Sequence, residues 1–409
     1  MCISGDSSLT ADLPNLRHVR LALSITEGIS LRAAAKSHRL TQPAASLAIG
    51  ALETFYGAAL FERRPNRLAT TKAGQALAHR ALRCMFFLGN AISVAGKSEE
   101  TGPMTRVMAN MTTAQLTAIA AMHQHDSFRS ASEFAGLRPA TLQKSIRALE
   151  GNLGCSLVDR HRTGAQLNIA GRIFSSWAGR AVAELAAIAA DIEALEGHIS
   201  GTVSVGAIRV SAAELVPQAI AKVLSAAPAA RFVVMQANYQ IMMEALRGGT
   251  IDFLCSTVRD VIPPDVDGEV LGNAKLHIFC SREHDFARRE NVSLEELAAS
   301  KWIGPSPLTG AVRAFRRMFE ERGIAPPSFA VETTSTDVTE YLVRTGLFLA
   351  IGNTTLRPSQ MANDLRLLDV GELNLVRPMW LLYRKGWQPT KLQQLFRDAF
   401  HELFPLAAD

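Results

Sequence analysis

The sequence predicts a multidomain chain: two consecutive α-rich units of one design, a long helix, and an α/β module with a parallel sheet flanked by helices. Three observations predict it. The residues before about 172 repeat with a period of 97. Within each repeat the apolar spacing is helical and gives way to a short strand pair. From Gly201 the pattern changes to short apolar strands alternating with helices, as in TVSVGAI, ELVPQAIAKVLSAA, RFVVMQA, QIMMEALRGG and IDFLCST. At 409 residues the chain has room for several cores.

The repeat aligns without a gap from residue 30 to 74 onto the residues 97 further on. Ser30 falls on Ser127, Ala34 on Ala131, Leu40 on Leu137 and Ile49 on Ile146, and Ala51-Leu52-Glu53 on Ala148-Leu149-Glu150. Gly57 meets Gly154, Leu60 meets Leu157, Arg63 meets Arg160, and Ala73-Gly74 meets Ala170-Gly171. One supersecondary unit is therefore present twice.

In copy one, Leu16, Val19 and Leu23 define a first helix with Gly28 near its end. Ser30 is a suitable N-cap for a short second helix over LRAAAKSHRL. The third helix starts at Thr41-Gln42-Pro43, where proline's missing N–H costs nothing. It carries either Leu47 or Ala48 inward with Ile49, Leu52 and Phe55, and Gly57 ends it. LFERRPNRLATTKAG then reads as strand, basic turn, strand. Copy two repeats the order: Leu116, Ile119 and Met122 on a first helix, Ser127 before FRSASEFAGL, a third helix RPATLQKSIRALEGNLG and a strand pair SLVDRHRTGAQLNIAG. Alanines at the first turn (Ala33, Ala34, Ala35; Ala131, Ala135) suit the close helix contact of a helix-turn-helix.

These residues resemble the DNA-binding unit of LysR-type transcription regulators, above all Ala34-Ala35, Thr41-Gln42-Pro43-Ala44, Leu52-Glu53, Leu60-Phe61-Glu62-Arg63 and Ala73-Gly74. Copy two is more diverged but keeps Ser127-Phe128, Ala131, Ile146-Arg147, Leu149-Glu150, Gly154, Leu157 and Arg160. The resemblance implies two winged helix-turn-helix domains in tandem, where one per chain is usual in the family. It extends over about Leu13 to Phe404, with weaker motifs in the rear: GTVSVGAIRVSAAELVP, LRGGTIDFL and TGLFLAIG. There it implies an effector domain similar to two-lobed periplasmic binding proteins.

Charge agrees with nucleic-acid binding in front. Lys, Arg, Asp and Glu sum to +9 over residues 13–97, +5 over 105–180 and −5 over 181–409. In copy one, Thr41, Gln42, Pro43 and Ser46 begin the helix that would enter a major groove, and Arg63, Arg64 and Arg67 on the wing would hold phosphates. Leu47, Ala48, Gly50 and Ala51 leave that helix with little to read bases. Copy two offers Arg138, Thr141, Gln143, Lys144 and Arg147 on its helix, and Arg160, His161 and Arg162 in its wing. An isolated arginine is commonly a solvated charge, but the set occurs within a matched unit.

The expected domains are 13–95 for copy one, a flexible linker over 96–110 from the composition of GKSEETGP, 111–172 for copy two, a linker helix over 173–198, and an effector domain over 201–409. Its lobe one would be 201–262 with 386–409 and its lobe two 263–385. The linker helix carries Ile173, Trp177, Val182, Leu185, Ile188, Ile192 and Leu195, a stripe suited to pairing with its twin in a dimer, as the family does. A shorter counterpart in copy one, with Leu77, Leu82, Met85, Phe86 and Ile92, could cover it instead or meet the same helix of a partner. The resemblance places an effector cleft at strand ends and helix N-termini, where N–H groups favour an anion. Its candidate residues are Arg209, Ser211, Asn238, Tyr239, Ser306, Thr309, Thr334, Ser335 and Asn353, although each small polar residue taken alone reads first as a helix cap and Arg209 equally as a surface salt bridge.

Other classes fit less well. No G-x-S-x-G, H-E-x-x-H or phosphate-loop motif occurs, so an enzyme using the rear cleft would leave the basic front unexplained. His123 and His125 read as surface residues rather than a metal pair, and no cofactor is called for. Cys2, Cys84, Cys155, Cys255 and Cys280 form no close pair and read as reduced, mostly buried thiols. With no secretory leader pattern in Met1–Leu13 and no apolar run long enough to span a bilayer, a cytoplasmic protein is expected. The expected partners are double-stranded promoter or operator DNA, a small-molecule effector of anionic character, RNA polymerase, and further copies of the chain as a homodimer or homotetramer. A rival is an assembly role for copy one, with copy two alone reading DNA.

Overall fold

Short polar side chains start the helices of both copies at positions 97 apart. Asn15, Ser30, Thr41 and Thr71 each accept a backbone N–H at the starts of α1 (Leu16–Thr26), α2 (Leu31–Ser37), α3 (Gln42–Tyr56) and α4 (Lys72–Val94). Thr112, Ser127 and Asn168 do the same for α6 (Thr113–Ala121), α7 (Phe128–Phe134) and α9 (Ile169–Leu195). Arg138 precedes α8 (Pro139–Leu153) without a side-chain cap. The computed structural model describes residues 12–64, 67–95, 101–123, 125, 127–161, 164–208, 215–258, 261–305, 310–333, 335–354, 364–368 and 376–404.

The wings repeat the same spacing. β1 (Phe61–Arg64) pairs antiparallel with β2 (Arg67–Thr70), and β3 (Val158–His161) with β4 (Gly164–Leu167). The repeated Ala-Leu-Glu triplet has a mechanical role here. Glu53 Oε1 accepts the N–H groups of Leu60 at 2.9 Å and Phe61 at 3.2 Å, fastening α3 to its wing. Glu150 Oε1 likewise accepts Leu157 at 2.9 Å and Val158 at 3.1 Å. The repeated glycines answer a close approach: a Cβ at Gly74 would lie 2.3 Å from the Leu60 carbonyl oxygen, and one at Gly171 2.0 Å from that of Leu157. Gly57 and Gly154 end α3 and α8 in the left-handed conformation, φ 64° and 71°.

The flexible linker expected over 96–110 is corrected in its second half, where α5 spans Thr101–Asn110. Composition suggested a loop, but packing decided otherwise. Val107 and the following Met111 are buried in the core shared by both copies. The Val107 carbonyl accepts Asn152 Nδ2 at 2.9 Å from copy two, and the Met108 carbonyl accepts Arg20 Nη1 at 3.3 Å from copy one.

α4 and α9 pack on each other within the chain and run antiparallel, since the partners of Arg80, Arg83 and Phe87 on α9 step backward from Asp191 to Glu184 to Trp177. Within the chain the linker helix meets its counterpart in copy one; of the stripe expected on that counterpart, Leu77 and Ile92 are buried, whereas Leu82 and Phe86 are exposed. Their shared face joins Leu77, Ala81, Cys84 and Leu88 to Phe174, Ala178, Leu185 and Ile188, all fully or almost fully buried. Ile173 and Leu195, expected on this stripe, are exposed instead, because they lie at the helix ends off the shared face. A buried ionic cluster lies within the apolar face. Arg80 Nη1 is 2.9 Å from Glu184, Arg80 Nε is 2.6 Å from Asp191, and Arg83 Nε is 2.8 Å from Glu184, with Arg80 and Glu184 side chains only 4% and 9% exposed. Burial disfavours the charge on Arg80, but Asp191 and Glu184 outweigh it and its pKa is raised. Arg80 Nη1 also donates to the Gln388 carbonyl at 2.9 Å.

His123 departs from the surface position expected of it. α6 ends at Ala121, so the ring lies beyond the helix and turns inward. Its Nδ1 is 2.8 Å from Ser175 Oγ on α9, and a Cβ added at Gly248 would fall 2.7 Å from the ring. Burial, and then the charges of Arg172, Arg247 and Arg180, lower its pKa against the opposing hydrogen bond to the Glu244 carbonyl.

The chain divides into two compact units. The first holds Met1–Gly206, Ile220–Leu254 and Tyr383–Ala399; the second holds Ala207–Ala219, Cys255–Leu382 and Phe400–Asp409. The chain crosses between these units after Gly206, Ala219, Leu254, Leu382 and Ala399, whereas the expected lobe limits fall at 262 and 385. β5 (Gly201–Ala207) and β7 (Phe253–Thr257) each run from the first unit into the second, β6 (Ala230–Gln236) lies wholly in the first, and there Asp252 Oδ2 accepts the Ser204 N–H at 2.9 Å. The second is built around Trp302, Phe315, Phe319 and Ile278. Its strands are not all parallel: β9 (Trp302–Gly304) runs parallel to β10 (Phe329–Glu332) and β11 (Leu349–Thr354), whereas the long β8 (Val266–Ser281) runs antiparallel to β11 and β12 (Leu365–Leu368). Cys84, Cys255 and Cys280 are buried and Cys155 is half-buried, and none of the four is in a disulfide. Among the described residues no helix is long and apolar enough to cross a membrane.

Two measurements check this packing. Arg80→Met removes the partner of half-buried Asp191 and leaves buried Glu184 with Arg83 alone, and is expected to lower unfolding free energy by about 3 kcal/mol in denaturant titration. His123, with its folded pKa below the ordinary value of about 6.5, contributes stability that is whole above that pH and lost as pH falls below it. The fall in melting temperature from neutral to mildly acidic pH should therefore be shallower in His123→Gln; an equal slope in both proteins would contradict the assignment.

Candidate nucleic-acid interface

Helical geometry determines which side chains of α3 and α8 are available. In α3, Ala45, Ala48, Ile49 and Leu52 are buried, which turns Gln42, Pro43, Ser46 and Leu47 outward, as it does Thr41 just before the helix. The choice between Leu47 and Ala48 for the core thus goes to Ala48, and Leu47 stands 76% exposed. Phe55, expected inward, is also exposed, one position beyond the buried stripe. In α8, Leu142, Ile146, Leu149 and Leu153 are buried, and Thr141, Lys144 and Arg147 are exposed with Gln143 half-buried and Arg138 exposed at the cap.

The two exposed faces correspond position by position and differ in chemistry. Ser46 in copy one stands where copy two has Gln143, Leu47 where it has Lys144, and Gly50 where it has Arg147. Copy two thus presents a long donor-rich face and copy one a short, partly apolar one.

The wing of copy one completes a second surface. Arg63 and Arg64 are exposed on β1, and Arg64 lies 3.7 Å from Glu62 in a solvent-exposed pair. With Leu31, Leu68, Gln42, Pro43 and Ser46 they line a concavity of about 580 Å³ between the start of α3 and the wing. Two guanidinium groups facing a helix N-terminus suit a phosphate. Arg67 pairs its backbone with Arg64 and Arg160 with Ala165, but their side chains lie outside the described residues, as does all of Arg162.

Arg39 was not singled out in the sequence. It occupies the turn between α2 and α3 at φ 55°, where copy two has Gly136 at φ 63°. The period of 97 was the signal that could have found it, since it aligns an arginine with a glycine. Arg80, Arg83, Glu184 and Asp191 were also missed, and charged residues inside an apolar stripe were the available sign.

The effector candidates are divided. Asn238 caps the helix Tyr239–Arg247 by accepting the Ile241 N–H at 3.0 Å, and Tyr239 is half-buried in its first turn; both belong to the first unit. Ser335 caps the helix Thr336–Arg344 in the second, accepting the Val338 N–H at 3.3 Å. Asn353 lies on β11 with its side chain outside the described residues. Arg209, Ser211, Ser306, Thr309 and Thr334 lie outside them altogether.

Comparison with known proteins matches both halves. The model of the bacterial regulatory helix-turn-helix protein, lysR family, matches residues 16–75 and again 113–172, two segments offset by 97. The model of the LysR substrate binding domain matches residues 196–405. The chain belongs to the LysR family. It is a DNA-binding transcription regulator with an effector-binding domain, carrying the family's helix-turn-helix twice. A relative from Pseudomonas putida, described as the HTH-type transcriptional regulator GalR, is 25% identical over 380 residues, covering 92% of this chain and 94% of its own. The RuBisCO operon transcriptional regulator of Allochromatium vinosum is 25% identical over 295 residues, 69% of this chain and 93% of its own. A full-length single-residue variant of OxyR from Pseudomonas aeruginosa shares the fold, with a TM-score of 0.56 at 17% identity over 71% of this chain and 95% of its own. These relatives are regulators, and among the described residues no cluster of His, Cys, Asp and Glu is arranged to hold a metal.

Arg39→Gly should relieve the left-handed backbone of a non-glycine residue and raise stability by about 1 kcal/mol, visible as a higher melting temperature. An unchanged or lower value would mean that the turn carries no such strain.

Proposed function

We propose that this regulator reads its promoter chiefly through copy two, while copy one grips the same DNA by its wing and the start of α3. The observation that carries the reading is the exposed set Thr141, Lys144 and Arg147 on α8, opposed by Leu47 and Gly50 at the matching places on α3. Lys144 and Arg147 can donate to guanine O6 and N7, and Gln143 can pair with adenine, with Arg138 at the helix start. Arg63, Arg64 and Arg67, with Arg160 and Arg162 in the second wing, neutralise phosphates and set the salt dependence. Thr41, Gln42, Pro43 and Ser46 position α3 at the groove.

The rear takes a small anionic effector, through Arg209 and Ser211 after β5, Asn238 and Tyr239, Ser306 and Thr309, Thr334 and Ser335, and Asn353. Asn238 and Ser335 already cap helices, so their side-chain oxygens are occupied by the Ile241 and Val338 N–H groups. Effector binding alters how homo-oligomers of the chain present DNA to RNA polymerase in the cytoplasm. A second reading, in which copy one serves assembly alone, draws on the exposed apolar Leu47.

Gel shifts separate the two. Arg147→Ala is expected to weaken operator binding by about 10- to 100-fold. Arg63→Ala should leave sequence preference intact and reduce the slope of log affinity against log salt by about 1. An unchanged slope in Arg63→Ala and Arg64→Ala would favour the assembly reading; full-strength binding by Arg147→Ala and Lys144→Ala would falsify the assignment of α8 as the reading helix.

A further inference from the structure

We infer that a single chain grips one operator as a built-in two-fold pair of reading units, and that the operator's two halves are unlike. The inference rests on the DNA-binding reading above and goes beyond it in assigning both halves to one polypeptide. α4 and α9 begin at positions 97 apart, at Lys72 and Ile169, and are the same element of the two copies. The contact that Phe87 makes across them and the one that Arg80 makes interchange when each residue is replaced by its repeat mate. The mate of Phe87 is Glu184 and the mate of Trp177 is Arg80. The ring contact Phe87–Trp177, with centroids 5.9 Å apart, therefore maps onto the ion pair Arg80–Glu184 at 2.9 Å. Residue i meeting j while the mate of j meets the mate of i is the mark of an isologous, two-fold interface.

Two-fold symmetry has a direct use on DNA. B-form duplex has local dyads of its own, so reading units related by a two-fold meet equivalent groove features one helical turn or a multiple of it apart. In an ordinary homodimer this demands a palindrome. Here the two units are covalently joined and chemically different, so the demand is lifted: Gln143, Lys144 and Arg147 suit guanine and adenine edges, whereas Leu47 in the matching place of copy one suits a thymine methyl. The face of α9 that would receive a second chain's helix is filled by α4, and the ionic cluster of Arg80, Arg83, Glu184 and Asp191 holds α4 there.

The full chain, selected against random-sequence duplexes, supplies the probe. Titration of the recovered duplex at concentrations far above the dissociation constant should saturate at one chain per duplex, whether or not chains also associate through their rear domains. The recovered site should hold two dissimilar half-elements. Lys144→Ala with Arg147→Ala, both on an exposed face, should lose protection from cleavage at one half-element by at least about 10-fold while the other persists. Saturation at two chains per duplex, a palindromic site, or equal loss at both halves would overturn the inference while leaving DNA binding intact. Failure to recover any duplex would overturn DNA binding and this inference together.

Discussion

Everything in the first unit is organised around the face shared by α4 and α9, and within that face by one charged group, Arg80. Its guanidinium is almost wholly enclosed yet spans Glu184, Asp191 and the Gln388 carbonyl. A buried charge is costly unless fully partnered. The cluster also favours one register, because sliding α4 along α9 by one turn would take Arg80 away from one of the two carboxylates that it bridges. Copy one, copy two and the segment 383–399 all meet at this point.

What the two copies share and what they do not follow one division. Positions that set backbone geometry are kept: caps at Ser30 and Ser127, carboxylates of Glu53 and Glu150 tying helix to wing, glycines at 74 and 171 where a Cβ would strike a carbonyl. Each answers a steric or hydrogen-bonding demand that few residues meet. The outward face of the third helix answers no such demand and has diverged from Ser46, Leu47 and Gly50 to Gln143, Lys144 and Arg147. Arg39 opposite Gly136 is an exception, a backbone position where copy one departs from the residue best suited to it.

The repeat made most of the front legible, because a period of 97 carries every helix and wing of one copy onto the other and each is held by local signals. The helix Thr101–Asn110 was not legible, since its sequence reads as a linker and its order depends on Val107 and Met111 finding a core built from both copies. His123 was read as exposed for a similar reason: nothing nearby in sequence announces Ser175 or Gly248. The direction of the side chains on α3 and α8 followed from helical periodicity apart from the Leu47 and Ala48 ambiguity and Phe55, which periodicity placed inward and the structure leaves exposed. The effector set was placed by resemblance, and the two small polar residues with described side chains, Asn238 and Ser335, serve as helix caps.

By itself the sequence determined the duplicated winged unit, the charge difference between front and rear, and the family, because these rest on interactions between residues close along the chain or on composition. Tertiary structure alone decided that the long helix of copy two is covered by its counterpart in copy one, with Arg80 as the pin. That choice depends on complementarity between residues about 100 apart, Arg80 with Glu184 and Asp191 and Phe87 with Trp177. Neither helix records it alone, since each shows only an apolar stripe that any similar helix could fill.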